Sequence, residues 1–191
     1  GFSFFPDKNM TTGEGGMVVT NNSEFAEQCQ ILKKNGASKR YYNTSIGWNF
    51  KMPDINAALG ISQLKRIESI IERKNSCAKL YDELLSTISE ITVPIVKEYN
   101  RTTYMLYSIL IKDNKLREKI RIGLETKGIE TRINFPSMHL QPAYIEKFGN
   151  TKGSLPISEH VSERIVGLPI FINMTQTDQE LIVNTIKQSM N

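Results

Sequence analysis

Apolar residues follow two rhythms along this chain. From Asp54 to about Ile88, the apolar positions Ala57, Ile61, Leu64, Ile67, Ile71, Ala78, Tyr81, Leu84 and Ile88 step by three, four or seven residues. That spacing lines one face of a helix and predicts a single long amphipathic helix opened by Pro53. At 1.5 Å per residue such a helix runs ~50 Å, enough to join two lobes. Shorter helices are predicted at 23–34, where Phe25, Cys29 and Leu32 share a face and Ser23 stands at the cap; at 115–127, on Leu116, Ile120 and Leu124; and at 156–164. Asn35-Gly36 ends the first of these, and Gly128 the second. Thr177-x-x-Glu180 reads as a capping box that starts a last helix reaching Met190.

The second rhythm is that of strands. Phe2 and Phe4 flank Ser3, and Met17-Val18-Val19 is bounded by glycine and asparagine. Tyr104 to Ile111 is almost wholly apolar, as a buried strand requires, and Ile129, Thr131 and Ile133 alternate with Glu130 and Arg132. A short strand covers 167–171. Two stretches, 37–52 and 134–149, show neither rhythm and are rich in Tyr, Asn, Ser and Pro. The resulting order β, β, α, long α, β, α, β, α, β, α reads as α/β or α+β, with a break near the long helix.

Composition narrows the functional classes. At 191 residues and 39% hydrophobic, the chain can bury a core without disulfides. It has no run of ~18 apolar residues, so no transmembrane helix or membrane partner is expected. The net charge of +4 comes from 24 basic and 20 acidic residues that alternate along the sequence. A nucleic-acid partner is not expected, since only Lys39-Arg40-Tyr41-Tyr42 imitates a basic stripe with stacking aromatics. Cys29 and Cys77 lack the local pairing of a zinc site, so no metal is expected and the thiols suit a reducing, cytoplasmic setting. The opening Gly1-Phe2-Ser3-Phe4-Phe5-Pro6 lacks a basic start and a long apolar run, unlike a signal peptide, and suggests processing or a piece of something longer.

The strongest chemical candidate is Lys8. It lies between an aromatic strand and the turn Thr11-Thr12-Gly13-Glu14-Gly15-Gly16, whose glycines let backbone pass close to another group. Ser3, Thr11 and Thr12 offer hydroxyls for a phosphate. Desolvation disfavours a lysine's charged form, and the neutral amine can attack a carbonyl to form a Schiff base. The segment is not a P-loop, because its lysine precedes the glycines.

Four ordered motifs resemble one known family. Ser3-Phe4-Phe5-Pro6-Asp7-Lys8-Asn9 with Thr12-Gly13-Glu14-Gly15-Gly16 is similar to the cofactor-lysine segment of the DegT/DnrJ/EryC1/StrS sugar aminotransferases. Gly47-Trp48-Asn49-Phe50-Lys51-Met52, followed by Asp54-Ile55-x-Ala57-Ala58-Leu59-Gly60 and Gln63-Leu64, resembles a second family segment. His139-Leu140-Gln141-Pro142-Ala143-Tyr144 and Gly167-Leu168-Pro169-Ile170 resemble two later ones.

The resemblance implies the C-terminal part of a fold-type I, aspartate-aminotransferase-like fold. Residues 1–52 would be a remnant of the large cofactor domain, 53–88 the linking helix, and 89–191 a complete small α/β domain. It implies pyridoxal 5'-phosphate as cofactor, with Lys8 forming the internal aldimine and moving protons, and Ser3 binding the phosphate. Asn49 would reach the cofactor phosphate of the neighbouring subunit, which makes the enzyme a homodimer with its site at the interface. His139 would lie on the substrate side. The implied reaction moves an amino group, usually from glutamate, to the keto group of a nucleotide-linked sugar. Relatives that dehydrate sugars carry His in place of the lysine, so Lys8 favours transamination; a binding module that keeps the fold without the chemistry is the remaining alternative. Lys51 stands where the family has Arg and loses the bidentate fork. The family's aspartate partner of the pyridine nitrogen and its ring-stacking aromatic find no counterpart here, so this chain alone is expected to have little or no activity.

Overall fold

The computed structural model describes residues 1–190 and divides into two compact units, Gly1–Ser69 and a second beginning at Ile70. The first unit starts with a short antiparallel pair, β1 (Phe2–Ser3) and β2 (Gly16–Met17), in which Phe2 faces Met17 and Ser3 faces Gly16. Helix α1 (Ser23–Leu32) follows. Its cap is Asn22 and not Ser23: the Asn22 side chain accepts the Phe25 amide at 2.9 Å, because Ser23 is already helical and cannot cap its own turn. The stretch 37–52, irregular by pattern, contains a small hairpin of β3 (Ala37–Lys39) and β4 (Tyr42–Asn43). Too few residues pair there for a period of two to be visible.

The single helix predicted over 54–88 is two helices, α2 (Asp54–Leu64) and α3 (Ile67–Leu85). Lys65 and Arg66 form the turn between them, and the Arg66 amide bonds back to Gln63 at 3.0 Å. No glycine or proline marks the break, and the apolar steps run through it unchanged, so the periodicity does not register it. Burial separates the two helices. Ile55, Leu59, Ile61 and Leu64 of α2 are exposed, whereas Ile70, Ile71, Ala78, Tyr81 and Leu85 of α3 are buried.

The second unit is a three-stranded antiparallel sheet, β5 (Ile91–Thr92), β6 (Tyr107–Ile111) and β7 (Ile165–Leu168), with β6 in the centre. Tyr107, Ile109 and Ile111 alternate along β6 and are fully buried. They meet Ala78, Tyr81 and Leu85 of α3, Ile120 and Leu124 of α4 (Asn114–Thr126), and Ile182, Val183 and Ile186 of α7 (Gln176–Met190) in one core. The rings of Tyr81 and Tyr107 stack at 4.9 Å, and their hydroxyls donate to Pro169 O at 3.0 Å and Asp82 Oδ1 at 2.5 Å. Both hydroxyls are thus satisfied inside the core.

Three local expectations change. The strand predicted over 129–133 is reduced to one bridge between Arg132 and Gly167. The stretch 134–149 contains a 3-10 turn, Met138–Leu140, and α5 (Pro142–Phe148), and is followed by α6 (Pro156–Ser162). The capping box of α7 is two residues earlier than Thr177-x-x-Glu180: Asp178 Oδ2 accepts the Thr175 amide at 2.8 Å, while the Asp178 amide donates to Thr175 Oγ1 at 3.2 Å.

Candidate active site

Lys8 lies on the loop that joins β1 to β2, and the loop is tied at several points. The Phe4 amide donates to Gly15 O at 2.9 Å and closes its neck. The Thr12 amide donates to Phe4 O at 3.0 Å, and Thr11 Oγ1 donates to the same carbonyl at 3.1 Å. The Lys8 amide donates to Phe5 O at 3.0 Å, which makes a tight turn at the lysine. Its amine is ion-paired with Asp7 Oδ1 at 3.1 Å, and its side chain is 29% exposed. Lys8 is therefore half-buried on a loop tied at its neck and on both sides of the lysine.

Thr12 is the anchor of this loop. It is 2% exposed, and its Oγ1 donates to Glu14 O at 2.7 Å. Helix α2 forms the seat. Asn56 Nδ2 donates to Thr12 O at 2.6 Å and lies 3.3 Å from Glu14 O, and one turn later Gly60 is buried against the Thr12 methyl. A Cβ on Gly60 would come within 2.8 Å of Thr12 Cγ2, so only glycine permits this approach. Asn56 escaped the sequence reading because it fills the variable position of the Asp54–Gly60 motif. Its one signal was a polar residue four positions before a glycine, on the same helix face.

Ser3 sits on β1 in the same hairpin as Lys8 and is exposed, with its Oγ 3.4 Å from the Phe5 amide. Asn49 belongs to the same unit but to a different segment. Trp48 and Phe50 donate their amides to Leu32 O and Lys33 O at 2.8 and 3.0 Å, and the Asn35 amide returns to Trp48 O at 2.8 Å. Residues 48–50 are thus strapped to the end of α1, with Asn49 exposed between two rings stacked at 5.8 Å. Gly36 makes this possible: its φ is +76°, and a Cβ there would collide with Ser45 O. Lys51 is exposed next to this strap.

His139 lies in the second unit and faces inward. It is 8% exposed, and its Nε2 is 2.9 Å from Glu159 Oε1. Glu159 also accepts the Gly153 amide at 2.8 and 2.9 Å and the Leu155 amide at 3.3 Å. The hydrogen bond from His139, the Gly153 amide and the Leu155 amide together hold the Glu159 carboxyl below the usual range. His139 and Glu159 thus form an internal clamp that joins the 3-10 turn to the loop before α6. Glu159 carried no sequence signal beyond being a glutamate in an amphipathic helix.

A half-buried lysine on a closed hairpin loop, with a small antiparallel α/β unit after it, defines a class. The fold is that of the PLP-type aminotransferases, in their C-terminal portion. More narrowly, the chain belongs to the DegT/DnrJ/EryC1/StrS aminotransferase family, which matches residues 1–187. It is 34% identical to the GDP-perosamine synthase of Escherichia coli O157:H7, over 98% of this chain and 50% of that protein. PseC of Helicobacter pylori, an aminotransferase involved in the biosynthesis of pseudoaminic acid, superimposes with a TM-score of 0.89 at 27% identity, over 99% of this chain and 52% of its own. The PLP-form of Spr1654 from Streptococcus pneumoniae superimposes with a TM-score of 0.87 at 26% identity, over 99% and 50% of the two chains. The chain spans about half the length of the curated relatives it matches. No helix among the described residues is long and apolar enough to cross a membrane.

Proposed function

We propose that this chain carries the cofactor lysine of a pyridoxal-phosphate-dependent sugar aminotransferase, and that Lys8 is that lysine. The observation that carries the reading is the Lys8 amine, half-buried on a loop closed by the Phe4, Lys8 and Thr12 amides. The donor chemistry suits the cofactor: a primary amine for its aldehyde, and the exposed hydroxyl of Ser3 in the same hairpin for its phosphate. When bound, pyridoxal phosphate supplies an electron sink for the carbon that exchanges its amino group. The protein's part is to hold and orient. The Lys8 amine attaches the cofactor and then shuttles a proton at Nζ, while Asp7, 3.1 Å away, helps to orient it. The exposed amide of Asn49 is offered to the cofactor phosphate of a neighbouring subunit, which makes the working form a homodimer.

The substrate in this reading is a nucleotide-linked keto-sugar and the amino donor is glutamate, in the cytoplasm. The reading also has the chain acting together with the residues that correspond to the other half of its relatives. The pyridine nitrogen needs an acidic partner, and no residue here is assigned to that role. His139 enters as a residue that shapes its unit through Glu159.

The deciding experiment uses the whole protein that contains this chain, loaded with pyridoxal phosphate. Lys8→Ala is expected to lose the visible absorption band of the lysine-bound cofactor and to lower kcat by at least ~10³-fold, since the nucleophile itself is removed. A band that survives the substitution removes Lys8 from this role. Product analysis with a keto-sugar nucleotide and glutamate separates an amino sugar from a dehydrated one.

A further inference from the structure

Helix α2 presents two neighbouring features to the Lys8 loop, and neither belongs to the loop. Asn56 bridges the carbonyls of Thr12 and Glu14 with one amide nitrogen, at 2.6 and 3.3 Å. Gly60, four residues later on the same face, leaves room for the Thr12 methyl. Thr12 in turn fixes the loop from inside, through its amide to Phe4 O at 3.0 Å and its hydroxyl to Glu14 O at 2.7 Å. A continuous chain of hydrogen bonds therefore leads from the helix to the residues on both sides of Lys8.

The geometry points to Asn56 as a positioning residue for Lys8: its amide, with the gap at Gly60, sets the pose in which the loop offers the lysine amine to the cofactor. The inference rests on the reading of Lys8 given above. It also explains why an amide is suited to this position. Both of its targets are carbonyl oxygens, so a donor is required. A carboxylate of the same shape would set negative charge against two acceptors, and leucine would leave both without this partner.

The test compares Asn56→Asp, Asn56→Leu, Asn56→Gln and Gly60→Ala in the whole protein. Pyridoxal phosphate is added, the lysine-bound cofactor is fixed with borohydride, and its rate of appearance on Lys8 is followed by peptide mass spectrometry. Hydrogen exchange at the Phe4, Lys8 and Thr12 amides is measured without cofactor. Asn56→Asp and Asn56→Leu should slow trapping about tenfold, the size of one or two ordinary hydrogen bonds, and speed exchange at the three amides. Asn56→Gln keeps the donor and should recover the trapping rate to within about threefold.

Gly60→Ala probes the same seat without touching the Asn56 amide, since its methyl displaces Thr12, and the recovery by Asn56→Gln guards against simple destabilisation. Gly60→Ala too should slow trapping. Wild-type trapping and exchange in Asn56→Asp and Asn56→Leu would overturn the inference, as would slow trapping that Asn56→Gln fails to recover. If trapping occurs equally in Lys8→Ala, the assignment of Lys8 falls instead, and the cofactor-free exchange still decides the role of Asn56.

Discussion

Glu159 accepts hydrogen bonds on both carboxylate oxygens, from His139, Gly153 and Leu155, and those bonds favour its ionised form. Its folded-state pKa is lowered, first through the His139 bond and then through the Gly153 amide. A carboxyl lowered by folding adds stability at pH values above its ordinary 4.5, and that contribution disappears as pH falls through the lowered value. Glu159→Gln should therefore melt below the wild type at neutral pH, with the gap closing in acid as the wild type loses its charge. Melting curves across that range decide it, and a gap that stays constant with pH would rule out the ionised clamp. Lys8 and Ser3 stand out as candidates one residue at a time because they sit within one short motif. Asn56, Glu159 and the inward-facing His139 do not, since each takes its role from a partner 20 or more positions away.

At the scale of elements, short-range chemistry decides the helix ends. Thr175 caps α7, its Oγ1 accepting the Asp178 amide at 3.2 Å, and Asp178 closes the box by accepting the Thr175 amide at 2.8 Å. Asp178→Ala should cost about 1 kcal/mol in denaturant unfolding, and Glu180→Ala much less, because Glu180 does not reach the cap. Equal losses would restore Thr177-x-x-Glu180 as the box. Existence and type of the main helices follow from their apolar spacing, and their ends are off by only a few residues. The break at Lys65–Arg66 and the reduction of 129–133 to a single bridge are different. Apolar spacing reports which face is buried, and it continues across a turn that keeps the phase. Alternation reports a strand only where a partner is present to pair with it.

Across the whole molecule the two units differ in how they are built. The second has a closed core around β6, with Tyr107, Ile109 and Ile111 fully buried. Ile109→Ala removes a fully buried central side chain and should cost about 3 kcal/mol, read as a lowered denaturation midpoint at unchanged m-value. A loss below 1 kcal/mol would mean the core repacks there. Among the described residues of the first unit, only Thr12, Gly36 and Gly60 are buried, while Phe2, Val18, Val19, Ile46, Phe50 and Ile55 are exposed. Hydrogen bonds and close backbone approach at glycine position its parts more than apolar burial does.

The sequence by itself determined the main helices to within a few residues of their ends, the apolar face of α3 and β6, and the lysine between an aromatic strand and a glycine turn. These are properties of residues within a few positions of one another, where spacing and side-chain chemistry suffice. Only the tertiary structure decided that α2 and α3 are separate helices, that His139 faces Glu159, and that the Lys8 loop is seated on Asn56 and Gly60. Those outcomes depend on which distant groups come within hydrogen-bonding or van der Waals distance, and neither periodicity nor composition carries that information.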